Sequence, residues 1–241
     1  MVVLHDFTGI YDEEDFYKNM DHVVIREREI EGTHGYLDKQ AEETLLMQIR
    51  NESLLPSVHF LDSGNYHYMS RLYAGMLKEK YILVVYDNHT DMQPSAFGDI
   101  LSCGSWIADI YEDGKAGLII PPEKIIIVGA SHKYIEECQY KDAPGIIFTD
   151  SIMTVALSEL TSSNNIPVYL SVDKDVLSKS EFESDWDQGS MSLDTLIREI
   201  RFISTCGIYG ADVCGEPQPE NGSYKKSSRI NYEIIKALGI A

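Results

Sequence analysis

Basic residues are scarce in this sequence. Lys and Arg number 20 against 39 Asp and Glu, which leaves a formal net charge of −19. Nucleic acids and anionic membrane surfaces attract proteins through clustered Lys and Arg. Because basic residues are so few, we expect neither a nucleic acid nor a membrane surface as a partner. The surplus of acids allows a cationic substrate but does not require one.

Cysteine pairs and long apolar runs are also missing. The four cysteines (Cys103, Cys138, Cys206 and Cys214) are scattered without a CxxC pair, so neither a disulfide framework nor a zinc knuckle is predicted. No apolar run approaches the ~20 residues that cross a membrane. The N-terminus lacks the basic, apolar and small-residue order of a signal peptide. These absences favour a cytoplasmic enzyme.

Apolar runs and amphipathic stretches alternate along the chain. Strand-like runs lie at residues 2–4, 58–61, 81–86, 124–128, 145–148, 167–172 and 208–213. Helical patterns lie between them, at residues 39–50, 68–79, 106–111, 152–160, from 192 onward and at 230–238. Strands separated by helices predict an α/β fold, a three-layer α/β/α sandwich with a mostly parallel central sheet. No linker divides residues 1–241, so we expect a single domain.

Side chains that suit metal ions follow two of these strands. The run 81–86 is followed by Asp87, His89 and Asp91, and the run 167–172 by Asp173 and Asp175. If the chain stays extended past residue 86, strand alternation points the first three side chains to one face. Oxygen and nitrogen donors together suit a divalent ion of the Mn, Fe, Co, Ni or Zn type.

A histidine adds to this donor set. His67 follows the apolar run 58–61, so three strands deliver donors at their carboxyl ends. That edge is where sites form in open α/β sheets. Two histidines and four aspartates are too many donors for one small cation. The sequence therefore predicts two metal ions ~3.5–4 Å apart that share carboxylates.

Three segments resemble motifs of the arginase, agmatinase and formiminoglutamase (ureohydrolase) family, and they occur in the family's order. Residues 87–91 (DNHTD) resemble Asp-Ala-His-x-Asp, and residues 171–175 (SVDKD) resemble Ser-x-Asp-x-Asp. Residues 64–68 (GNYHY) stand where the family has Gly-Gly-Asp-His-Ser and keep its histidine. The resemblance runs from about residue 58 to at least 217. It identifies a divergent member with an arginase/deacetylase-like fold.

The resemblance implies a binuclear centre of two divalent metal ions, with Mn²⁺ as the expected metal. The implied ligands are His67, Asp87, His89, Asp91, Asp173 and Asp175. Asp87 and Asp173 would bridge the ions, and Asp91 would also accept a proton. The implied reaction is hydrolysis of a non-peptide carbon–nitrogen bond of guanidino, amidino or formimino type in a small metabolite. A hydroxide that bridges the two ions would be the nucleophile.

Two more catalytic candidates lie where the chain departs from the family's pattern. Arginases and agmatinases place a catalytic histidine in the loop after Asp-x-His-x-Asp, and here Cys103 stands at that position. The late glutamate that binds a guanidinium corresponds to Glu216, which lies one residue farther from Asp212 than usual. These departures leave the substrate open. We expect the loops 92–104 and 176–191 to determine it.

Two other functions remain compatible with the same residues. A deacetylase-like amidohydrolase would use one metal ion and fewer ligands. A metal-binding family member without catalytic turnover would explain the missing catalytic histidine. Family members often form trimers or hexamers, so the resemblance also admits a homo-oligomer. The histidines without a spaced acidic partner are predicted to be structural or solvated: His5, His22, His34 and His132.

Overall fold

Eight parallel strands form the centre of the fold in a computed structural model, which describes residues 1–51, 57–94, 98, 100–155, 166–221 and 223–240. The strands are β1 (Val2–Asp6), β2 (His22–Arg26), β3 (Tyr36–Leu37), β4 (Val58–Phe60), β5 (Ile82–Tyr86), β6 (Leu101–Ser102), β7 (Lys124–Val128), β8 (Ile146–Thr149), β9 (Val168–Asp173) and β10 (Ile208–Cys214). The main sheet has the order β2-β1-β4-β10-β9-β5-β7-β8, while β3 and β6 pair with each other in antiparallel fashion.

Helices cover both faces of the sheet, which confirms the predicted three-layer α/β/α sandwich. The described helices are α1 (Ile10–Glu13), α2 (Lys39–Asn51), α3 (Met69–Ala74), α4 (Trp106–Ala116), α5 (His132–Glu137), α6 (Leu193–Ser204) and α7 (Tyr224–Ala237). One apolar core packs α1, α6 and α7 against the sheet, and a second core packs α2, α3 and α4. Successive residues of β5 alternate between them, with Val84 in the first core and Val85 in the second.

Local sequence signals explain where these elements begin and which side they bury. The central strands are apolar on both faces because both faces are covered. Helix α6 begins after Ser192, whose Oγ accepts a hydrogen bond from the backbone nitrogen of Thr195 at 3.2 Å. Its buried residues Leu196, Ile200 and Ile203 recur at helical spacing and face the first core.

The structure departs from the sequence expectations at short or partly exposed elements. Strand β2 was not predicted, because its residues are only partly buried at the edge of the sheet. The predicted helix at residues 152–160 begins as one 3-10 turn, Ile152–Thr154, and residues 156–160 lie outside the described residues. In the part of the chain that the structure describes, no helix has the length and apolar character that crossing a membrane requires.

Candidate metal centre

A cavity with a volume of about 370 Å³ lies at the carboxyl edge of the main sheet, where residues at or just after the ends of β4, β5 and β9 line it. β4, β10, β9 and β5 lie side by side in parallel, so their carboxyl ends meet at the same edge of the sheet. Five of the six predicted metal ligands line this cavity, namely Asp87, His89, Asp91, Asp173 and Asp175. His67 is buried beside them. A cavity of this size accommodates a small molecule.

The ligands after β5 converge through a turn. The condition that the chain stays extended past Tyr86 is not met, because β5 ends there and Asp91 has a left-handed φ of 45°. Aspartate adopts this conformation more readily than most residues other than glycine. The backbone nitrogen of His89 donates to Asp87 Oδ1, and Trp106 Nε1 donates to Asp91 Oδ2 at 2.7 Å. These hydrogen bonds hold the turn and aim its side chains at the cavity.

One ring nitrogen of His67 faces three carboxylates. Its Nδ1 lies 3.0 Å from Asp91 Oδ2, 3.3 Å from Asp87 Oδ2 and 3.7 Å from Asp173 Oδ2. The nitrogen is buried and makes no hydrogen bond. A buried polar atom without a partner calls for a physical reason.

The other ring nitrogen of His67 indicates the reason. Nε2 lies 2.8 Å from Ser171 Oγ, and the Ser171 hydroxyl donates to Asp212 Oδ1. Because that hydroxyl proton is already used, Nε2 donates to Ser171 in either ionisation state, so Nδ1 carries a proton in the metal-free protein and would present its lone pair to a bound cation. A lone pair and three carboxylate oxygens repel one another unless a cation lies between them. The residues therefore fit a divalent metal ion.

Among the groups of close ligand atoms in the described residues, two have Asp87 in common. The first group is His67, Asp87 and Asp91, and the second is Asp87, His89 and Asp175; in each, the ligand atoms lie within 4.8 Å of one another. In the second group His89 Nδ1 lies 2.9 Å from Asp175 Oδ2 and 3.4 Å from Asp87 Oδ1. The arrangement offers two neighbouring positions for ions.

Burial and mutual repulsion raise the pKa of most acids in these groups. Burial, followed by the charge of Asp87, raises the pKa of Asp91 to about 6. The same two causes raise the pKa of Asp173. Burial, Asp173 and Asp87 raise the pKa of Asp175 well above its usual range. Asp87 is the exception: burial would raise its pKa, but the two histidines outweigh that effect and lower it.

The two histidines respond in the opposite sense to the same charges. Burial alone would lower the pKa of His67, but Cys214 and two neighbouring aspartates raise it well above its usual range. Burial of His89 is likewise outweighed by Asp175 and Asp87, which raise its pKa to about 12. In each case a proton supplies the positive charge that the acids require. A bound cation would supply it instead.

Cys103 lines the same cavity, as its predicted position requires. Burial and then the charge of Asp91 raise the pKa of its thiol to about 12, so the group is protonated at neutral pH. A protonated thiol cannot take up a proton in the way an imidazole does near neutrality. The structure therefore places Cys103 at the cavity without giving it the chemistry of the histidine that it replaces.

Glu216 does not line the cavity, so its placement does not support the predicted contact with a substrate. The side chain is 1% exposed, and its oxygens are bound by Lys174, Ser227 and Asn231. Gly215, at φ 88°, makes the turn just before it, and a Cβ there would come within 2.5 Å of Asp173 Oδ1. The chain passes so closely under Asp173 that the longer spacing directs Glu216 toward α7.

Sequence reasoning missed much of the cavity wall. The additional lining residues include His34, Tyr36, Asn65, Gln93, Ser102 and Trp186. His34, predicted to be structural or solvated, comes from the first 57 residues, where no motif was matched. Its only signal in the sequence is a polar, glycine-flanked segment that many surface loops share. Gln93 and Trp186 come from the two loops expected to shape the substrate site.

The protein is an α/β protein with a parallel sheet, and histidines and aspartates at the carboxyl edge of this sheet form a candidate metal centre. Residues 59–238 match the sequence profile described as the arginase family. The chain belongs to this family, which confirms the resemblance found in its motifs.

The chain is also similar to individual proteins. It is 32% identical to an uncharacterized protein of Thermotoga maritima over 238 residues, which cover 97% of this chain and 87% of that protein. Arginase from Bacillus subtilis has the same fold with a TM-score of 0.71 and 15% identity, over 99% of this chain and 97% of that one. Formimidoylglutamase from Bacillus subtilis matches with a TM-score of 0.66 and 11% identity, over 100% of this chain and 87% of that one.

Proposed function

We propose that the protein is a hydrolase that uses two divalent metal ions, manganese first among them, to cleave a non-peptide carbon–nitrogen bond. The substrate would be a small, nitrogen-rich molecule of the guanidino, amidino or formimino type. Two relatives in fold, arginase and formimidoylglutamase, are hydrolases of such bonds. The proposed ligands are the six residues inferred from the motifs.

The environment of His67 carries this proposal. A buried imidazole whose Nε2 proton is directed to Ser171 turns Nδ1 toward three carboxylate oxygens, where Nδ1 would present its lone pair to a bound cation. Burying that much unbalanced charge costs several kcal/mol unless a cation compensates it. The second group around His89 repeats the pattern next to the first. Two adjacent groups that share Asp87 support two ions better than one.

The residues of the chain would orient the centre and move protons around it. When bound, two divalent ions would supply an activated water as nucleophile and polarise the carbon under attack. Trp106 Nε1 holds one oxygen of Asp91, which fixes the orientation of that carboxylate. In the metal-free protein, burial and then the charge of Asp87 raise the pKa of Asp91 to about 6, and we expect this carboxylate to accept a proton during the reaction.

His34 would replace the imidazole that the chain lacks at Cys103. Both side chains line the cavity, but only His34 carries an ordinary proton-shuttle group. We therefore expect His34 to protonate the leaving nitrogen. His34→Asn should lower kcat more than Cys103→Ser does.

The cavity wall favours a substrate without an acidic group. Apart from the proposed ligands and His34, the lining residues that the structure describes are uncharged, and none is Lys or Arg. A carboxylate would find no cationic partner among them. Planar amidine and guanidine groups stack well on an indole ring, which Trp186 provides.

Metal analysis of the purified protein tests the proposal first. Wild type should hold close to two manganese or similar ions per chain, and Asp87→Ala should lose both, because Asp87 belongs to both groups. Activity should fall by a factor of about 10³, which corresponds to several kcal/mol of transition-state stabilisation. Asp142→Ala, which removes an exposed acid elsewhere, is the matched control.

The metal content also separates the alternatives. One ion per chain would favour a deacetylase-like amidohydrolase. Two ions without hydrolysis of guanidino, amidino, formimino or acetylated compounds would favour a metal-binding protein without turnover. A protein that binds no ion after reconstitution would overturn the proposal.

A further inference from the structure

A buried cysteine lies directly beside the proposed metal ligands. Cys214 ends β10, and in the sheet register it stands next to Asp173 at the end of β9. Its side chain is fully buried, and its Sγ lies 3.1 Å from Asp173 Oδ2. Neither the motifs nor the ligand set implied by the family includes this residue.

The sulfur of Cys214 lies close enough to His67 for both side chains to contact one metal ion. One ligand atom each from His67, Asp173 and Cys214 lies within 4.8 Å of the other two. A thiolate about 2.3 Å and an imidazole about 2.1 Å from one ion stand roughly 3.6 Å apart in a tetrahedral site. The His67 nitrogen that faces this group is the one left without a hydrogen bond.

The backbone keeps the thiol at this place. Immediately after Cys214 the chain turns at Gly215, where any side chain would collide with Asp173 Oδ1. The backbone nitrogen of Glu216 then donates to the carbonyl oxygen of Asp62 at 3.0 Å, which secures the turn. The Cys214 side chain is thus held against Asp173 by the fold itself.

We propose that Cys214 is a further metal ligand, which binds the ion on the His67 side of the centre through its sulfur. The proposal rests on the proposed binuclear metal centre. It makes the two positions chemically unequal, because the His89 side has only nitrogen and oxygen donors. A thiolate selects softer ions such as Zn²⁺, Co²⁺ or Fe²⁺, whereas carboxylates and imidazole also suit Mn²⁺. The centre would therefore prefer two different metals.

Cobalt spectroscopy tests the sulfur ligand directly. Cobalt added to the metal-free protein should produce the near-ultraviolet absorption of a thiolate–cobalt bond. Cys214→Ser should lose this band and keep the visible cobalt bands. Cys103→Ser is the matched control and should retain the band, because Cys103 lines the cavity but belongs to none of the three groups of close ligand atoms. Competition between Zn²⁺ and Mn²⁺ should shift toward Mn²⁺ by tenfold to a hundredfold, roughly, in Cys214→Ser.

X-ray absorption of the zinc-loaded wild type supplies a measurement that needs no variant. A sulfur neighbour at about 2.3 Å from zinc is expected. Bound cobalt without the thiolate band, or a band that survives in Cys214→Ser, would overturn the proposal and leave the binuclear centre standing. In that case Cys214 would only donate a hydrogen bond to Asp173. A protein that binds no cobalt at all would overturn both proposals together.

Discussion

Asp173, Lys174 and Asp175 are consecutive, yet their side chains enter two buried clusters. One cluster has an excess of carboxylates, and the other pairs an ammonium group with a carboxylate. The open cluster consists of the six proposed metal ligands: His67, Asp87, His89, Asp91, Asp173 and Asp175. The closed cluster consists of Glu14, Lys174, Glu216, Ser227 and Asn231. Every member of the closed cluster and all but His89 of the open one are buried. Because burial is similar in the two clusters, the difference between them lies in their charge.

The closed cluster balances its charge within the protein. Lys174 Nζ lies 2.5 Å from Glu216 Oε1 and 3.0 Å from Asn231 Oδ1. Asn231 Nδ2 donates to Glu14 Oε2 at 3.1 Å. Burial and then the charge of Glu216 raise the pKa of Glu14 to about 10, so this carboxyl group is neutral at pH 7. One ammonium group therefore faces one carboxylate.

The open cluster has four carboxylates and, among the residues that the structure describes around the cavity, neither Lys nor Arg. A buried ion pair with good hydrogen bonds is tolerated, whereas buried charges of one sign are costly. The closed cluster is complete as folded and serves stability. The open cluster lacks a compensating positive charge unless a cation binds, and binding sites commonly sacrifice stability in this way.

The largest effect is expected from breaking the closed cluster. Lys174→Met should lower the free energy of unfolding by about 3–5 kcal/mol, because it leaves Glu216 charged and buried without a partner. Urea denaturation of the metal-loaded protein measures the loss. The double variant Lys174→Met/Glu216→Gln should recover part of it. Lys141→Met, which removes an exposed ion pair with Glu136, should change stability by less than about 1 kcal/mol.

Removing an acid from the open cluster should raise the free energy of unfolding of the metal-free protein. Asp175→Asn should stabilise the metal-free protein by about 1–2 kcal/mol, because it removes a buried carboxyl group whose ionisation burial, Asp173 and Asp87 all oppose. The same change should weaken metal binding by about 10²-fold, since a ligand is lost. Thermal unfolding with and without chelator measures both effects. A metal-free Asp175→Asn protein that is less stable than wild type would contradict the comparison.

The smallest effect concerns the proton on Glu14. Because the folded state raises the pKa of Glu14 from 4.5 to about 10, its stabilisation is complete below the ordinary pKa and disappears as the pH rises toward 10. Glu14→Gln keeps the neutral form at every pH. Relative to wild type, the variant should gain about 1.4 kcal/mol in unfolding free energy between pH 6.5 and pH 7.5, where the unfolded state binds about one proton fewer than the folded state. Equal pH dependence in the two proteins would show that Glu14 is not neutral.

The open cluster was far easier to predict than the closed one. Asp87, His89, Asp173 and Asp175 follow strongly apolar strands, and their spacing is local to two short segments. Glu14 gives no such signal, because it lies in an acidic stretch near the N-terminus and meets Asn231 only in the folded chain. Glu216 was predicted to contact a substrate, whereas the structure places it in the closed cluster, because one residue of spacing decides which way a side chain points after a tight turn.

The apolar strands, the helices between them and the chemical identity of the donors after the strands can be predicted from the amino-acid sequence, because they depend on neighbours along the chain. Which donors lack positive charge and which are paired depends on the folded arrangement. The proton position on His67 depends on Ser171 and Asp212, and Cys214 reaches Asp173 through strand pairing. Electrostatic balance depends on distances between residues remote in sequence, and folding alone sets those distances.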